Sequence, residues 1–398
     1  MSVSGTAGLA EPAGVSALRI EPVTSARGRQ AFVDLPYDAY RSLETWRAPL
    51  RFERKAQLEP KSNPGLALLD HQLFVAWRGD TPVGRIAALV NHAHLERHDP
   101  ACGHFGFLDT LEPDTDLVKA LIEAAARWLS ARGMTRMAGP FNFSVNEECG
   151  LLVEGFDTPP MIMMGHGRPD YASTLEALGF EKSMDMHAYI CRLGEIYDRF
   201  PMTERLVRFA QRDEGISIRP ISHARFKEEV ALVLDIFNDA WSDNWGFVPF
   251  GDAQIRHMAS ELRPLLREDS VWIASVDNTP MAFTLVVPNI NEVVDGLDGR
   301  LLPFGWVQLL KGLKLKGPAS ARIPLAGVRK GHHKTRRGLA AFAAASDAAI
   351  AAQHARGVRD IELSWVLEDN EDLIGLTRLQ NCERYKTYRI YERRLEGL

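Results

Sequence analysis

The chain repeats one order of predicted secondary structure, and this repetition restricts the folds that it can adopt. In the first half, HQLFVAWRGDTPVGRIAALVN predicts two strands around a Gly79-Asp80 turn, and GHFGFLDTL predicts a third strand. TDLVKALIEAAARWLSARG has the period of an amphipathic helix, and TRMAGPFNF is typical of a strand. A short helix in DYASTLEALGF and a strand in KSMDMHAYICRL complete this half.

The second half repeats that order. VWIASVDNTPMAFTLVVPN predicts two strands around Asp277-Asn278, and ARIPLAGV predicts a third strand. Residues 338–357 then have the pattern of a helix, and DIELSWVLEDN predicts a fourth strand. A short helix and the strand YKTYRIYERRL follow. We therefore predict an α/β fold of two halves, each a mixed central sheet flanked by helices. The predicted divisions are a flexible tail at 1–17, a first half at 18–195, a connecting segment at 196–216 and a second half at 217–398.

Composition agrees with two globular domains, because the 398 residues are 45% hydrophobic and 25% charged. No run of 18 apolar residues occurs, and the N-terminus has neither the basic nor the apolar region of a signal peptide. The four cysteines are widely scattered, so we expect neither a disulfide framework nor structural zinc. These features indicate a protein of a reducing compartment, the cytoplasm.

The most unusual stretch is GVRKGHHKTRRGLAAFAAA, which places five Lys or Arg in a chain of net charge −5. The basic run lies between an apolar strand and an alanine-rich helix. A helix N-terminus presents unpaired N–H groups and a partial positive charge, so it suits a phosphate. Gly331 and Gly338 would let the backbone approach an oxygen closely. The alternatives are a solvated basic loop and a nucleic-acid contact, but net acidity and the lack of aromatic residues in the loop disfavour nucleic acid.

This order of elements and this loop resemble the GNAT acyltransferase fold and its coenzyme A pyrophosphate loop, of pattern Q/R-x-x-G-x-G/A. Gly338 and Ala340 fit the pattern, Thr335 stands where Gln or Arg is usual, and the loop is about two residues longer. The stretches GPFNFSVNEECGLLVEGFDTPP, FNDAWSDNWGFVPF and ELSWVLEDN further resemble double-GNAT proteins that include the bacterial ceramide synthases. That resemblance implies acyl-CoA as co-substrate and transfer of a long acyl chain to a sphingoid amine.

The resemblance and the charge pattern together assign the cofactor loop. The expected acyl-CoA contacts are Gly327, Val328, Arg329, Gly331, Lys334, Thr335, Arg336, Arg337, Gly338 and Ala340. The equivalent junction of the first half, in FGFLDTLEPDTDLVKALIEAA, carries Asp109, Glu112, Asp114 and Asp116 and has no glycine at the helix start. Acids there would repel a pyrophosphate. We therefore expect one acyl-CoA per chain, bound by the second half, and no metal, since His332 and His333 have no third ligand nearby.

Acyl transfer needs a neutral amine, and an alkyl amine is mostly protonated at pH 7, so a base is required. Strand alternation in DIELSWVLEDN puts Glu362, Ser364, Glu368 and Asn370 on one face. Glu362 and Glu368 are the candidate bases. The alternatives are a buried hydrogen-bond partner for Glu362, a capping acid for Glu368 and a helix N-cap for Asn370.

The tyrosine that GNAT enzymes often use as general acid corresponds here to Thr377, which departs from the family pattern. Tyr385 and Tyr388 are candidate replacements, although alternation equally predicts packing roles for them. In WSDNWGFVPF, Asp243, Asn244 and Trp245 combine polar and aromatic side chains in a loop, a combination typical of cleft walls. A core-packed corner is the other interpretation of that loop.

LLPFGWVQLLKGLKLKG predicts an amphipathic helix with Trp306, Leu309, Leu310 and Leu313 on one face and lysines off it. Such a helix can rest on an anionic membrane, here the inner membrane, or pack its apolar face on the core. The function best supported by the sequence is acyl-CoA-dependent N-acylation of a lipophilic amine, as in sphingolipid biosynthesis and lipid metabolism. The alternatives are N-acetylation of a small amine and non-catalytic binding of acyl-CoA or lipid. The sequence leaves the oligomeric state open.

Overall fold

A computed structural model describes residues 17–263, 266–312 and 317–395. Most of the predicted tail, residues 1–16, therefore lies outside the described residues. So do Leu313, Lys314 and Lys316 of the predicted amphipathic segment.

The first half contains seven strands and five α-helices among the described residues. The strands are β1 Leu18–Pro22, β2 Leu69–Arg78, β3 Thr81–Asn91, β4 Cys102–Thr110, β5 Arg136–Gly139, β6 Leu151–Glu154 and β7 Glu181–Arg192. The helices are α1 Ala26–Ala39, α2 Arg51–Gln57, α3 His92–Arg97, α4 Thr115–Ser130 and α5 Asp170–Ala177. The long helix α4 packs its apolar stripe on the sheet, with Leu121, Ile122 and Leu129 fully buried.

The rest of the chain adds six strands and seven α-helices in its described part. The strands are β8 Ile216–Pro220, β9 Val271–Val276, β10 Thr279–Pro288, β11 Ser320–Val328, β12 Asp360–Leu367 and β13 Glu383–Arg394. The helices are α6 Pro201–Arg212, α7 Phe226–Trp241, α8 Asp252–Leu262, α9 Asn291–Val294, α10 Gly305–Lys311, α11 Arg336–His354 and α12 Glu371–Leu379. The helix α11 covers β9 and β10 with small side chains, among them Ala341 and Ala345.

Local patterns predicted these elements well. The turns at Gly79 and at Asp277-Asn278 have the positive φ angles of tight hairpins, and the asparagine and aspartate tolerate them. The predicted helix at 338–357 begins two residues earlier, at Arg336, because Thr335 caps it. The predicted α/β class with a mixed sheet flanked by helices is confirmed.

The two halves share one sheet, in the order β1-β2-β3-β4-β5-β13-β7-β12-β11-β10-β9-β8, with β6 paired to β13. The final strand β13 lies between β5 and β7 of the first half, whereas β7 pairs with β12 of the second half. Each half thus supplies one strand to the other. We keep 18–195 and 217–398 as a proposed division of the chain, although the sheet itself is continuous.

One prediction about cysteine is wrong. Cys191 at the end of β7 and Cys382 just before β13 form a disulfide, with Cα atoms 4.3 Å apart. The residues are 191 positions apart in sequence, so only the exchange of β13 brings them together. Cys102 and Cys149 are free and buried. Because disulfides are typical of oxidising compartments, cysteine usage no longer supports a reducing one.

Within the described chain, no helix has the length and apolar character needed to cross a bilayer.

Candidate functional site

The second half contains an opening between two parallel strands. β11 and β12 pair from Ser320 with Asp360 to Ile323 with Leu363, and the pairing stops there. Pro324 follows, which has no N–H to offer a neighbouring strand. Beyond that point β11 continues alongside β10 and β12 continues alongside β7, so a gap opens between them.

The corresponding opening in the first half is filled by the chain itself. β4 and β5 pair from Cys102 to His104, and the residues after β5 then continue along β4. The Phe141 N–H donates to the Phe105 carbonyl at 2.7 Å, and the Phe107 N–H donates to Asn142 Oδ1 at 2.8 Å. A Cβ on Gly106 would lie only 1.8 Å from the Phe141 carbonyl oxygen. The two halves therefore share an element order but differ in the space that they leave.

The basic loop connects β11 to α11 at the mouth of the second-half opening. Thr335 is its N-cap, and its hydroxyl oxygen accepts from the Gly338 N–H at 3.0 Å. Gly338 is required by close packing, since a Cβ would lie 2.2 Å from the His332 carbonyl oxygen. Thr335, which departs from the family pattern, thus serves to start the helix. Gly331 is exposed with open space around it.

Acidic residues hold part of this loop in place. Asp235 of α7 pairs with Arg329, Asp239 accepts from the Lys330 N–H at 2.8 Å, and Asp243 pairs with the Lys330 ammonium group. Asp235 and Asp239 lie four residues apart on one side of α7, and Asp243 follows in the loop after it, so the three aspartates support the start of the basic loop.

The remaining cations of the loop divide into two groups. Arg337 donates to both Asp213 and Asp277 and so ties α11 to the strands beside it. Lys334 and Arg336 are exposed, and within the described chain no carboxylate pairs with either. Arg336 lies 4.0 Å from the Phe209 ring centroid. Lys334 and Arg336 are therefore the cations of the loop that are available to an anionic ligand. Ala340, another predicted acyl-CoA contact, is fully buried against α6 and contributes to packing.

Glu362 lies in a closed polar network at the base of the opening. Its side chain is fully buried, and it accepts from the Ser364 hydroxyl at 2.6 Å and from the Tyr385 hydroxyl. Arg322, its direct partner on β11, places Nε 3.5 Å from Glu362 Oε1. This geometry is the one described by the alternative interpretation of Glu362 as a buried hydrogen-bond partner. Tyr385 is only partly buried and forms the outward end of the network.

Electrostatics in the network reflect its burial. Desolvation, and then the Glu362 carboxylate, raise the pKa of Tyr385 well above its usual range. Desolvation lowers the pKa of the Arg322 guanidinium, and Glu362 opposes that effect. Lys386, fully buried beside Tyr385, donates to the Thr158 carbonyl at 2.7 Å and to the Gly155 carbonyl. Burial lowers the pKa of Lys386 to about 8.

Glu368 and Asn370 lie apart from this network, contrary to the expectation of one shared face. β12 ends at Leu367, and its register with β7 shifts between Leu363 and Val366. Glu368 accepts from the Lys182 ammonium at 2.7 Å and from the Asp185 N–H at 3.1 Å. Asn370 caps α12 by accepting from the Leu373 N–H, as predicted for it.

The loop after α7 connects the opening to a second space. Trp241 Nε1 donates to the Ala326 carbonyl of β11 at 2.9 Å. The next residues, including Asp243, Asn244 and Trp245, line a cleft of about 710 Å³ over β4, β5 and β13. Trp245 and Trp365 both pack against the same buried apolar cluster. The predicted cleft-lining role of this loop therefore agrees with its position.

The sequence patterns did not identify several residues of the opening between β11 and β12 or of the cleft. Arg322 was detectable in principle, because a single charge in the apolar strand ARIPLAGV requires a buried partner. Lys386 carried no comparable signal, since it lies among exposed charges in ERYKTYRIYERR. His94, Cys102 and His104, which also line the cleft, come from a helix and a strand whose approach no spacing rule indicated.

Comparisons with known proteins agree with this architecture. No model of a known protein family matches the chain. The bacterial ceramide synthase of Caulobacter vibrioides is 39% identical over 384 residues, 95% of this chain and 98% of that protein. Protein YghO of Escherichia coli is 38% identical over 366 residues, which cover 92% of this chain and 93% of that protein. A tandem GNAT protein from the clavulanic acid biosynthesis pathway superposes with a TM-score of 0.56 at 12% identity, covering 96% of this chain and 100% of that one.

Proposed function

We propose a reaction for this chain from one premise: it belongs to the family of GNAT-type acyltransferases that includes the bacterial ceramide synthase of Caulobacter vibrioides. The chain is an acyltransferase of that type. The proposed reaction transfers a long acyl chain from acyl-CoA to the amine of a sphingoid-type amino alcohol or its 3-keto form. The product is a ceramide-like amide, and free coenzyme A is released.

The observation that carries the proposal is the opening between β11 and β12 with a basic helix start at its mouth. Coenzyme A combines an extended amide-containing arm with a pyrophosphate and a 3'-phosphate. An extended arm fits between two strands that have stopped pairing, and the phosphates fit the N-terminus of α11 beside Lys334 and Arg336. The first half, closed by Phe141 and acidic at α4, is proposed to bind no coenzyme A.

The reaction requires a defined course for two protons. The ammonium form of the acceptor first loses one proton, the neutral nitrogen attacks the thioester carbonyl carbon, the C–S bond breaks, and the nitrogen loses its second proton. We assign proton acceptance to Glu362, reached through the Tyr385 hydroxyl that donates to it. The departing thiolate takes up the second proton released by the nitrogen, so that amide and thiol are the products. Arg322 and Ser364 hold the carboxylate in position from the other side.

The cleft lined by Asn244 and Trp245 is the proposed place of the acceptor. It lies at the far end of the loop whose Trp241 contacts β11, so an amine there would approach the opening from the first half. Asp243 is engaged by Lys330, and its proposed role is to hold the phosphate loop while the neighbouring side chains contact the acceptor.

A lipophilic acceptor needs a route from the membrane. Leu302, Phe304, Trp306 and Leu310 are exposed around α10, with Leu302 and Phe304 80% and 76% exposed. An apolar surface with a tryptophan and with Lys311 beside it is suited to the interface of an anionic bilayer. We propose that this surface brings the protein to the inner membrane from the cytoplasmic side.

One observation favours a second candidate, non-catalytic binding of acyl-CoA. Both oxygens of Glu362 already have partners, so a purely structural network would have the same appearance. Mass spectrometry of lipids from cells with and without the gene separates the candidates. The proposed function predicts loss of an N-acylated amino alcohol and accumulation of the free amine in cells that lack the gene. Rescue by the wild-type gene and failure of Glu362→Gln to rescue would support it, and an unchanged lipid profile would refute it.

A further inference from the structure

Three potential metal ligands converge in the cleft of the first half. Cys102 and His104 are two residues apart on β4 and therefore lie on the same side of the strand. His94 reaches them from α3. The Cys102 sulfur and a ring nitrogen of each histidine lie within 4.8 Å of one another, and all three residues line the cleft of about 710 Å³.

The ring nitrogens of the two histidines in this cluster lack hydrogen-bond partners within the described chain. His104 is only 5% exposed, yet no described atom of the chain forms a hydrogen bond with a ring nitrogen of His104 or of His94. The neighbouring His98, whose ring lies against that of His94, differs, since it bonds the Phe247 carbonyl oxygen at 2.7 Å. The imidazole nitrogens of His94 and His104 therefore line the cleft without a protein hydrogen bond and are available to a ligand.

We propose that His94, Cys102 and His104 bind one zinc ion whose fourth coordination position faces the cleft. Two imidazoles and a thiolate are a ligand set that zinc prefers, and three protein ligands with one open position are typical of sites that bind water or another small donor. The thiol would release its proton to solvent on binding. The assignment does not depend on the identity of the acyl acceptor.

The geometry requires only a small adjustment. Zinc–ligand bonds of about 2.0–2.3 Å place tetrahedral donor atoms about 3.5 Å apart. The donor atoms here, which lie within 4.8 Å of one another, must therefore approach by up to about 1.3 Å. His94 is partly exposed on the six-residue helix α3, so rotation of its side chain is the least hindered change. Nearby charges are already paired, with Arg136 between Asp99 and Glu392.

Metal content and cobalt spectroscopy of the full chain test the proposal. Wild-type protein, loaded with zinc and dialysed, should retain one equivalent, and cobalt in its place should give the absorption of a thiolate-to-cobalt transition. Cys102→Ser should abolish that transition and weaken zinc binding at least a hundredfold. Cys149→Ser is the matched control, because Cys149 is the other free buried cysteine and should leave both signals unchanged.

A folding defect must be separated from a lost ligand. His94→Ala removes a partly exposed side chain, so circular dichroism should show a folded protein that binds zinc at least tenfold more weakly. The proposal is overturned if wild-type protein retains no zinc, or if it binds zinc with an affinity that neither His94→Ala nor Cys102→Ser changes.

Discussion

Arg322 and Glu362 face each other on adjacent parallel strands, both almost completely buried, with Arg322 Nε 3.5 Å from Glu362 Oε1. The pair lies one residue before the pairing of β11 and β12 ends. A buried ion pair is stable only while both partners remain, because either charge alone lacks solvation. The candidate base is therefore also a structural element of the opening, and experiments on it must separate the two roles.

The first prediction separates the catalytic role of Glu362 from its structural role. Glu362→Gln should lower acyl transfer at pH 7 about a hundredfold or more, with acyl-CoA affinity nearly unchanged. The rate should recover partly at high pH, where more of the amine is already neutral. The unpaired Arg322 should also reduce the free energy of unfolding by about 3 kcal/mol. Activity, calorimetric affinity and urea unfolding measure the three effects.

Two control variants isolate the catalytic part. The double variant Arg322→Met, Glu362→Gln should regain most of the lost stability and none of the activity. Glu368→Gln, on a carboxylate held by Lys182 and away from the network, should retain nearly full activity. Full activity of Glu362→Gln at pH 7 would exclude Glu362 as the base.

The second prediction concerns the cofactor loop. Lys334→Glu and Arg336→Glu should each weaken acyl-CoA binding about tenfold or more, because both cations are exposed and free of carboxylates within the described chain. Lys119→Glu, the same reversal on α4 of the first half, is the control and should leave affinity unchanged. Calorimetry that found equal effects for all three would remove the phosphate site from α11.

Arg337→Glu should behave differently from those two variants. Its guanidinium joins Asp213 and Asp277, so reversal of charge should lower the thermal midpoint of unfolding as well as any affinity. A variant as stable as wild type would show that these ion pairs contribute nothing measurable.

The third prediction concerns pH. Lys386 has a pKa of about 8 in the folded protein because of its burial, against 10.5 when exposed. Between those values the unfolded state binds more protons, so the free energy of unfolding should rise with pH from about 8 to 10.5. The rise attributable to Lys386 is about 3 kcal/mol. Urea unfolding across this range should show it as a wild-type slope that Lys386→Met lacks, and parallel curves would contradict it.

The fourth prediction concerns the exposed apolar surface around α10. Replacing Phe304 and Trp306 by serine should weaken sedimentation with anionic vesicles at least tenfold, since each buried aromatic contributes about 1.5–3 kcal/mol. Lys311→Glu should weaken it by about 1 kcal/mol. Ile196→Ser is the control, because Ile196 is 84% exposed outside this surface. Wild-type protein that ignores anionic vesicles at low salt would contradict the membrane role.

Local chemistry made much of this structure predictable. The Asp277-Asn278 turn, the helix started by Thr335 and the N-cap Asn370 each follow from neighbours in sequence. The exchange of β13 into the first half was not predictable in this way. It depends on which sheet edge buries a strand best, and no short pattern records that choice.

The site contacts that the sequence did not predict also join segments that are far apart in the chain. Arg322 meets Glu362 only through strand pairing, and Cys191 meets Cys382 only because β13 crosses over. Likewise, His94 approaches Cys102 through the packing of α3 beside β4. Contacts between distant segments depend on tertiary structure, whereas caps and turns depend on adjacent residues.

Measurement of both products of one reaction tests the proposed acyl transfer. Purified protein is incubated with long-chain acyl-CoA and a long-chain amino alcohol, and released thiol and N-acylated product are quantified together. The proposed acyl transfer predicts one thiol released for each amide formed, a strong preference over acetyl-CoA, and dependence of both signals on Glu362. Tight binding of acyl-CoA with no thiol release for any amine would refute the proposed transfer, and equal rates with acetyl-CoA would refute the proposed substrate.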